Sequence, residues 1–488
     1  MSDRGSRSSP PISEPYSPQR RTALVLTGTG TAGAYHAGAL RALHEAGVKL
    51  DIVAGRGMGA VGALFAAVDG AQRLWDDKGF WRAAAVRSFY PWRAVPRAIV
   101  GALGLSLAIV AVPIAVVAAG LVVFPIDFVL RMVGVGGASG LVGEYLHLVQ
   151  SAFAPEGLPT WLPRFVLMLM GVTGIIALAD AWISGAGKPG RGGFWWWAIR
   201  APLSSSAAVD HTWSVMWDLV RGAAQLTRPS PAELGRRYAE MLSENIGQPG
   251  FRELLVAVHD ADAHRDLVFA LVGEPRRRDL VRRPTSALAD ARRAEVFDLA
   301  GVAREYLPDA VAAALSIPLA TDPRAVTFAP DAYWRGETHH LCDRPGSLTR
   351  ILDELADLGV EQLVIVSAAP ELSGPHALAA GRLDGKGRVG QYLQSAEAAA
   401  VRDATRLAAA RVPAISTFTI HPGHNPIGPF DFGGEYDDRS DRRQPLSELM
   451  SLGYEDAYHQ FIEPVVGASG DRVGVKTEPD SAKRKTKN

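Results

Sequence analysis

Two short apolar runs, each ending in glycines and each followed by a helical pattern, constrain this chain more than any other feature. Ala23–Leu26 leads into the turn GTGTAG at residues 28–33, and apolar residues recur at helical spacing from Tyr35 to Ala46. Asp51–Ala54 then leads into GRGMG at residues 55–59 and a second helical stretch. A repeated strand–turn–helix unit predicts a right-handed crossover and a parallel sheet, with both turns at the carboxyl ends of their strands.

Three kinds of site place a glycine-rich turn between a strand and a helix, and the residues at the turns separate them. A dinucleotide fold needs an acidic residue at the far end of the second strand, whereas Asp51 stands at the near end, which makes this the weaker alternative. A phosphate-binding loop needs Gly-Lys-Ser/Thr, which does not follow the first turn. A hydrolase with an oxyanion loop and a G-x-S-x-G nucleophile elbow fits the spacing, but Gly57 stands where the serine is expected.

The two turns and their flanks resemble the start of a patatin-like phospholipase domain. That family carries G-G-G-x-R/K-G, then G-x-S-x-G, then a distant D-G-G/A, and it cleaves lipid acyl esters with a Ser–Asp dyad. The runs LVLTG at 24–28 and AYHAGAL at 34–40 carry the resemblance. Three letters depart from it, because Thr29 replaces the middle glycine, Ala32 the basic residue and Gly57 the nucleophile. The resemblance implies a three-layer α/β acyl hydrolase fold with a mainly parallel central sheet.

The resemblance also implies where a site lies. The positions of the oxyanion loop and substrate binding are Gly28, Thr29, Gly30 and Gly33. Gly57 takes the nucleophile position without its serine. Asp343 stands at the position of the dyad aspartate, before a helix and a strand, although Arg344 replaces the small residue that follows it in the family. These residues are expected to face one crevice, with Arg344 crowding it.

Two clusters have the residue types of metal ligands but not their spacing. The group His339, His340, Cys342 and Asp343 lacks a second ligand pair at any standard spacing, so a capped loop is expected there. A stretch rich in His, Asp and Glu between residues 421 and 443 is expected to be a solvated loop beside the sheet edge. The sequence therefore predicts neither a metal site nor a cofactor.

Two apolar stretches predict a transmembrane helical hairpin. Ala98–Phe124 carries no charge and is long enough to cross ~30 Å of hydrocarbon, and Phe165–Ile183 is the second candidate. Basic residues flank the pair on its outer sides, so the positive-inside rule predicts that the rest of the chain is cytoplasmic. The lone cysteine, Cys342, fits a cytosolic domain. With 51 basic and 51 acidic residues the chain offers no net charge for nucleic acid, and the predicted partner is lipid or a membrane surface.

These patterns divide the chain into a disordered leader (1–21), a patatin-like domain (22–466) interrupted by the transmembrane insertion (98–183), and a disordered basic tail (467–488). Two functions remain open. The first is a membrane-anchored pseudoenzyme that binds or senses lipid, because no Ser, Thr or Cys lies between Lys49 and Arg87 to replace the missing nucleophile. The second is an active lipid acyl hydrolase, a phospholipase or esterase of lipid metabolism, with a non-standard nucleophile. Whether the protein is an enzyme is therefore left open.

Overall fold

The computed structural model describes residues 15–134, 139–183, 201–224, 226–282, 294–370 and 384–467. Residues 1–14 of the predicted leader and 468–488 of the predicted tail lie outside these ranges. The chain separates into two compact units: Met1–Pro91 with Ser204–Asn488, called here the sheet unit, and Trp92–Leu203, called here the helical unit.

The sheet unit contains a mixed α/β fold. Its strands are β1 (Thr22–Thr27), β2 (Ile52–Gly55), β3 (Glu253–Asp260), β4 (Arg265–Leu271), β5 (Val296–Asp298), β6 (Arg324–Thr327), β7 (Thr338–Cys342), β8 (Gln362–Ser367), β9 (Ser416–Ile420), β10 (Glu435–Asp437) and β11 (Arg442–Gln444). Its helices are α1 (Ala32–Glu45), α2 (Gly59–Ala67), α3 (Gln72–Trp75), α7 (Ser206–Val220), α8 (Pro231–Asn245), α9 (Arg276–Arg282), α10 (Leu307–Ala314), α11 (Ser347–Asp357), α12 (Gly385–Arg411) and α13 (Leu446–Ala457), the last continued by a π-helix over Tyr458–Val466.

The central sheet has the strand order β5-β4-β3-β2-β1-β8-β9. The neighbours of β1 and β2 are all parallel, β3 and β4 form an antiparallel hairpin, and β7 crosses antiparallel to β3 and β6. The six residues of β1 and the six of β8 are all buried, as expected for central strands covered on both faces. The predicted mainly parallel α/β fold is therefore confirmed.

Helices cover both faces of this sheet. On one face Leu348, Ile351 and Leu355 of α11 pack with Val25 and Ala54 in a single apolar core. On the other face lie α1 and α2, and α1 packs along α13. Because β1 and β2 are parallel, the turns that follow them lie together at the carboxyl ends of the strands.

Two segments expected to be loops contain strands. His339 and Cys342 belong to β7, in which His339 and Leu341 are buried and His340 is exposed, a period-two pattern that two adjacent histidines conceal in the sequence. The loop near residue 430 contains the small hairpin β10–β11. The predicted leader also needs correction, because the Tyr16 side chain is buried and its hydroxyl oxygen accepts a hydrogen bond from the Lys49 N–H at 2.8 Å.

The helical unit consists of α4 (Ala94–Met132), α5 (Ser139–Phe153) and α6 (Leu158–Ile183). Two helices are long and apolar enough to cross a membrane, Ala94–Met132 and the stretch Leu158–Ala179 of α6. Both helices extend beyond the predicted spans, and α5 occupies part of the stretch between them. The ends of this unit meet, because Trp92 and Leu203 form an antiparallel bridge.

Candidate functional site

The two glycine turns meet at the carboxyl ends of β1 and β2, because these strands pair in parallel with Leu26 opposite Gly55. Gly57 has a φ of +56°, the left-handed conformation of a sharp strand-to-helix corner. Asp343, directly after β7, lies at the same corner, since a Cβ placed on Gly57 would be 2.9 Å from the Asp343 Oδ2 atom. The structure thus brings Gly57 and Asp343 together.

A buried guanidinium group fills this corner. Arg56 donates to both carboxylate oxygens of Asp343, from Nε to Oδ1 at 2.9 Å and from Nη2 to Oδ2 at 2.7 Å. Its remaining nitrogen, Nη1, pairs with Glu397 and donates to the Thr27 hydroxyl at 2.9 Å. Thr29 adds a further hydrogen bond from its hydroxyl to Asp343 Oδ2 at 3.0 Å. The Asp343 carboxylate therefore accepts three hydrogen bonds from protein groups.

These charges are almost completely removed from water, because the Arg56, Asp343 and Glu397 side chains are at most 6% exposed. Burial alone would lower the pKa of Arg56, but the charges and hydrogen bonds of Asp343 and Glu397 outweigh it, and the pKa is raised. The guanidinium is thus fixed in its charged form. We call Arg56, Asp343, Glu397, Thr27 and Thr29 the ion cluster.

The backbone amide that follows the elbow position is already hydrogen-bonded within the protein. The N–H of Met58, the residue after the nucleophile position, donates to the Gly28 carbonyl at 2.8 Å. That same carbonyl oxygen stands where a side chain at position 57 would begin, well inside contact distance of a Cβ there. An oxyanion needs donors aimed at it, whereas this turn directs an acceptor toward the corner.

The loop from Asn425 to Pro429 covers the first turn. Thr31 donates to it twice, from its N–H to the Pro429 carbonyl at 3.1 Å and from its hydroxyl to the Gly428 carbonyl at 2.8 Å. Gly30 has a φ of +60°, and a Cβ there would run into the Pro429 carbonyl. The cavity left between the turn, α12 and this loop is about 20 Å³, room for about one water molecule.

His36 lies beneath the first turn and is completely buried. Its Nε2 lies 3.1 Å from the Thr27 carbonyl, an acceptor, so this nitrogen carries the proton. Burial lowers the pKa of His36 to about 4, and the nearby charge of Arg56 acts in the same direction. The imidazole is therefore neutral at physiological pH.

Two residues expected at the crevice lie elsewhere. Arg344 is half-exposed and forms its ion pair with Asp266 at 3.5 Å, so it does not crowd Asp343; the turn after Asp343 sends its side chain outward. Gly33 lies at the start of α1 beneath Trp81 and Met58, where a Cβ has no room, and it serves packing. Gly28, Thr29 and Gly30 do form the turn beside Asp343.

The sequence reasoning missed Arg56 and Glu397. Arg56 occupies a variable position of the elbow pattern, and Glu397 lies in an alanine-rich stretch without a recognisable motif. One signal was available, since Arg56 is the only charged residue between Ile52 and Val68. A lone charge inside a buried strand–turn–helix unit requires a buried counter-charge.

The sequence predicts no metal site at His339 and His340. In the structure each of these two histidines pairs with a carboxylate. His339 Nδ1 lies 2.6 Å from Asp260 Oδ2, and His340 Nδ1 lies 2.8 Å from Asp262 Oδ2. Within the described ranges, no group of three His, Cys, Asp or Glu side chains has the geometry to hold a metal ion.

Comparison with known proteins bears on the family. The patatin-like phospholipase family model matches residues 24–168, which include both glycine turns and the corner at Gly57. Among solved structures, VipD from Legionella pneumophila matches over 92% of this chain and 67% of its own, with 12% identity and a TM-score of 0.31, a likeness too distant to carry an argument. Curated proteins give no significant match. Residues 24–168, which contain both glycine turns, are therefore similar to the patatin-like phospholipase family, and the mostly parallel sheet is consistent with the fold of that family.

Proposed function

We propose that this protein is a membrane-anchored, catalytically impaired patatin-like protein that binds or senses lipid rather than hydrolysing it. The patatin-like domain (22–466) lies on the cytoplasmic side, and residues 98–183 anchor it. The observation that carries the proposal is the bidentate pairing of Arg56 with Asp343 beside Gly57. The match of residues 24–168 to the patatin-like phospholipase family supports the lipid-related part of the proposal.

The first argument concerns the nucleophile. Covalent ester cleavage needs a hydroxyl, thiol or similar group beside its activating base. Gly57 has none, and the hydroxyl nearest to Asp343, that of Thr29, belongs to the ion cluster. Thr29 also lies in the first turn and not at the corner after β2, where the family pattern places the nucleophile.

The second argument concerns charge and space. A tetrahedral intermediate carries an oxyanion that needs free N–H donors, while the Met58 and Thr31 amides are used within the protein. The cavity of about 20 Å³ at the first turn also leaves no room there for an acyl ester. Lipid binding is therefore assigned to the surface of the protein and its membrane helices rather than to this corner.

The membrane part of the proposal rests on α4 and α6, whose apolar side chains are mostly exposed to the surroundings. Within the α4 window that best fits a span only 6% of residues are buried, and within the α6 window none are. A soluble core helix of this length would be largely buried. The uncharged stretches of α4 and α6 are long enough to insert into a membrane. The basic residues outside the pair favour an orientation in which the sheet unit is cytoplasmic.

The experiment is a pair of assays on purified full-length protein in maltoside detergent. We expect no labelling by a fluorophosphonate probe and no more than trace hydrolysis of short-chain phospholipid and nitrophenyl esters. Asp343→Asn serves as the matched control and should leave that trace unchanged. Turnover of about one per second or faster, abolished in Asp343→Asn, would establish the alternative, an active acyl hydrolase.

A second measurement tests the role of the ion cluster in the fold. Replacing Arg56 with Met leaves Asp343 and Glu397 as buried carboxylates without their cation, which should cost about 3–5 kcal/mol of unfolding free energy. Arg344→Met, at a half-exposed ion pair, should cost less than about 1 kcal/mol. Equal, small losses in urea unfolding of the two variants would contradict the structural role given to Arg56.

A further inference from the structure

A large cavity in the sheet unit lies away from the crevice, beside the edge strand β5. It has a volume of about 1050 Å³. In the strand order, β3 and β4 separate β5 from β2. A space of this size suits a small organic ligand.

Aromatic side chains form much of its lining. Tyr306 and Trp334 are fixed through their polar atoms: the Tyr306 hydroxyl oxygen accepts from the Ala329 N–H at 2.7 Å, and the Trp334 indole N–H donates to the Ala294 carbonyl at 3.1 Å. Tyr333 packs edge-on against Trp334 with ring centroids 5.3 Å apart. Tyr306 is buried, so the aromatic surface open to a ligand comes mainly from Tyr333, which is exposed, and from Trp334, which is half-buried.

The charges around these rings are mainly negative. Glu305, Asp331 and Glu337 line the cavity, with Arg335 as a basic neighbour. Over the ranges that the structure describes, neither Glu305 nor Asp331 forms an ion pair. Burial raises the pKa of Tyr306, and the carboxylates of Glu305 and Asp331 raise it further, which agrees with a negative potential at the rings.

We propose that this cavity binds a quaternary ammonium group, carried by free choline or by the headgroup of phosphatidylcholine. Such a cation is attracted by the faces of Trp and Tyr rings and by nearby carboxylates, and its methyl groups bury well against aromatic surface. A primary ammonium is compact and strongly hydrated, which favours it less in a wide aromatic cavity. This site is independent of the crevice, so it stands or falls separately from the proposed function.

The test uses full-length protein in maltoside, a detergent without an ammonium group, and isothermal titration calorimetry. Choline should bind at least about tenfold more tightly than its neutral isostere 3,3-dimethyl-1-butanol, and more tightly than ethanolamine. Dihexanoyl-phosphatidylcholine and dihexanoyl-phosphatidylglycerol, both below their micelle concentrations, separate the two sources. Binding of the choline lipid identifies a headgroup site, and binding of free choline alone identifies a free-amine site.

Variants then locate the binding. Glu305→Gln with Asp331→Asn alters two exposed carboxylates and should weaken choline binding about tenfold without unfolding the protein, and Trp334→Phe should weaken it severalfold. Asp403→Asn, an exposed carboxylate on α12, is the matched control and should bind choline like wild type. The proposal is overturned if choline and its isostere bind equally, if neither binds, or if the cavity variants match the Asp403→Asn control.

Discussion

At the scale of single residues, Gly57 combines a positive φ with a space that is already filled. The left-handed conformation costs any other residue about 1–2 kcal/mol. The Gly28 carbonyl adds a steric cost, because it stands where a Cβ would lie. The serine that the family pattern requires therefore does not fit this corner as it is now folded.

We expect Gly57→Ser to give no hydrolysis and to destabilise the protein by more than strain alone. Adding Arg344→Gly should not help, because Arg344 points away toward Asp266. Gly359→Ser is the matched control, since Gly359 has a φ of +73° with open space around it. Thermal unfolding should show a larger loss of stability for Gly57→Ser than for Gly359→Ser, because only the first variant adds a steric clash to the backbone strain. Fluorophosphonate labelling of Gly57→Ser above background would contradict the prediction.

His36 makes stability depend on pH. Its pKa is about 4 in the fold against about 6.5 when unfolded, so the unfolded chain binds more protons between these values. Stability should therefore rise with pH across this window, and acidification from pH 7 to 4 should cost on the order of 3 kcal/mol. Urea unfolding against pH should give a flatter profile for His36→Gln, while His459→Gln, at an exposed histidine, should follow wild type.

The residue scale also shows what a sequence pattern can identify. The elbow pattern pointed to Gly57, and the order of elements pointed to Asp343, because both depend on local runs of letters. Arg56 and Glu397 meet only in the folded chain, where Glu397 of α12 reaches the end of β1 and the turn after β2, a long-range contact with no local signature. Arg344 was expected to crowd the crevice, and this was wrong because the backbone of the turn, which the sequence pattern does not show, determines where its side chain points.

At the scale of elements, α4 and the stretch Leu158–Ala179 of α6 are long and apolar enough to cross a membrane. We expect full-length protein to remain in membranes after alkaline carbonate washing and to lose this association when residues 98–183 are deleted. A fluorescent protein fused after residue 488 should fluoresce, since the positive-inside rule predicts a cytoplasmic terminus. Recovery of full-length protein in water without detergent would contradict the first expectation, and a dark, translocated fusion the second.

A uniform apolar pattern allows a strand to be predicted from the sequence. Strand β7 lacks such a pattern, and a loop was expected there. Strand β8 contains the continuous apolar run LVIV, which suits a strand buried on both faces. In β7 exposed and buried residues alternate from Thr338 to Leu341, and His339 is kept in the interior by Asp260. A histidine that becomes a core residue through a partner on another strand carries no apolar signal.

At the scale of the whole molecule, the sheet unit is built from two separate parts of the chain. The Ser204 N–H donates to the Pro91 carbonyl at 3.1 Å, so a hydrogen bond holds the end of the first part beside the start of the second. Replacing Trp92–Leu203 with Asn-Gly should give a water-soluble protein, because a two-residue turn can close such a pair. Its far-ultraviolet spectrum and single urea transition test this, and an aggregated or molten product would show that the sheet unit needs the insertion to fold.

The bridge between Trp92 and Leu203 has a consequence for the order of folding. Strand β2 must find β3, with Ile52 opposite Glu253, across the entire helical unit. Closing so long a loop in a free chain carries an entropic cost and slows folding. A helical unit that forms first and brings its own ends together removes Trp92–Leu203 from that loop. Insertion of the helical unit into the membrane during synthesis would then precede the pairing of β2 with β3 and make that pairing faster.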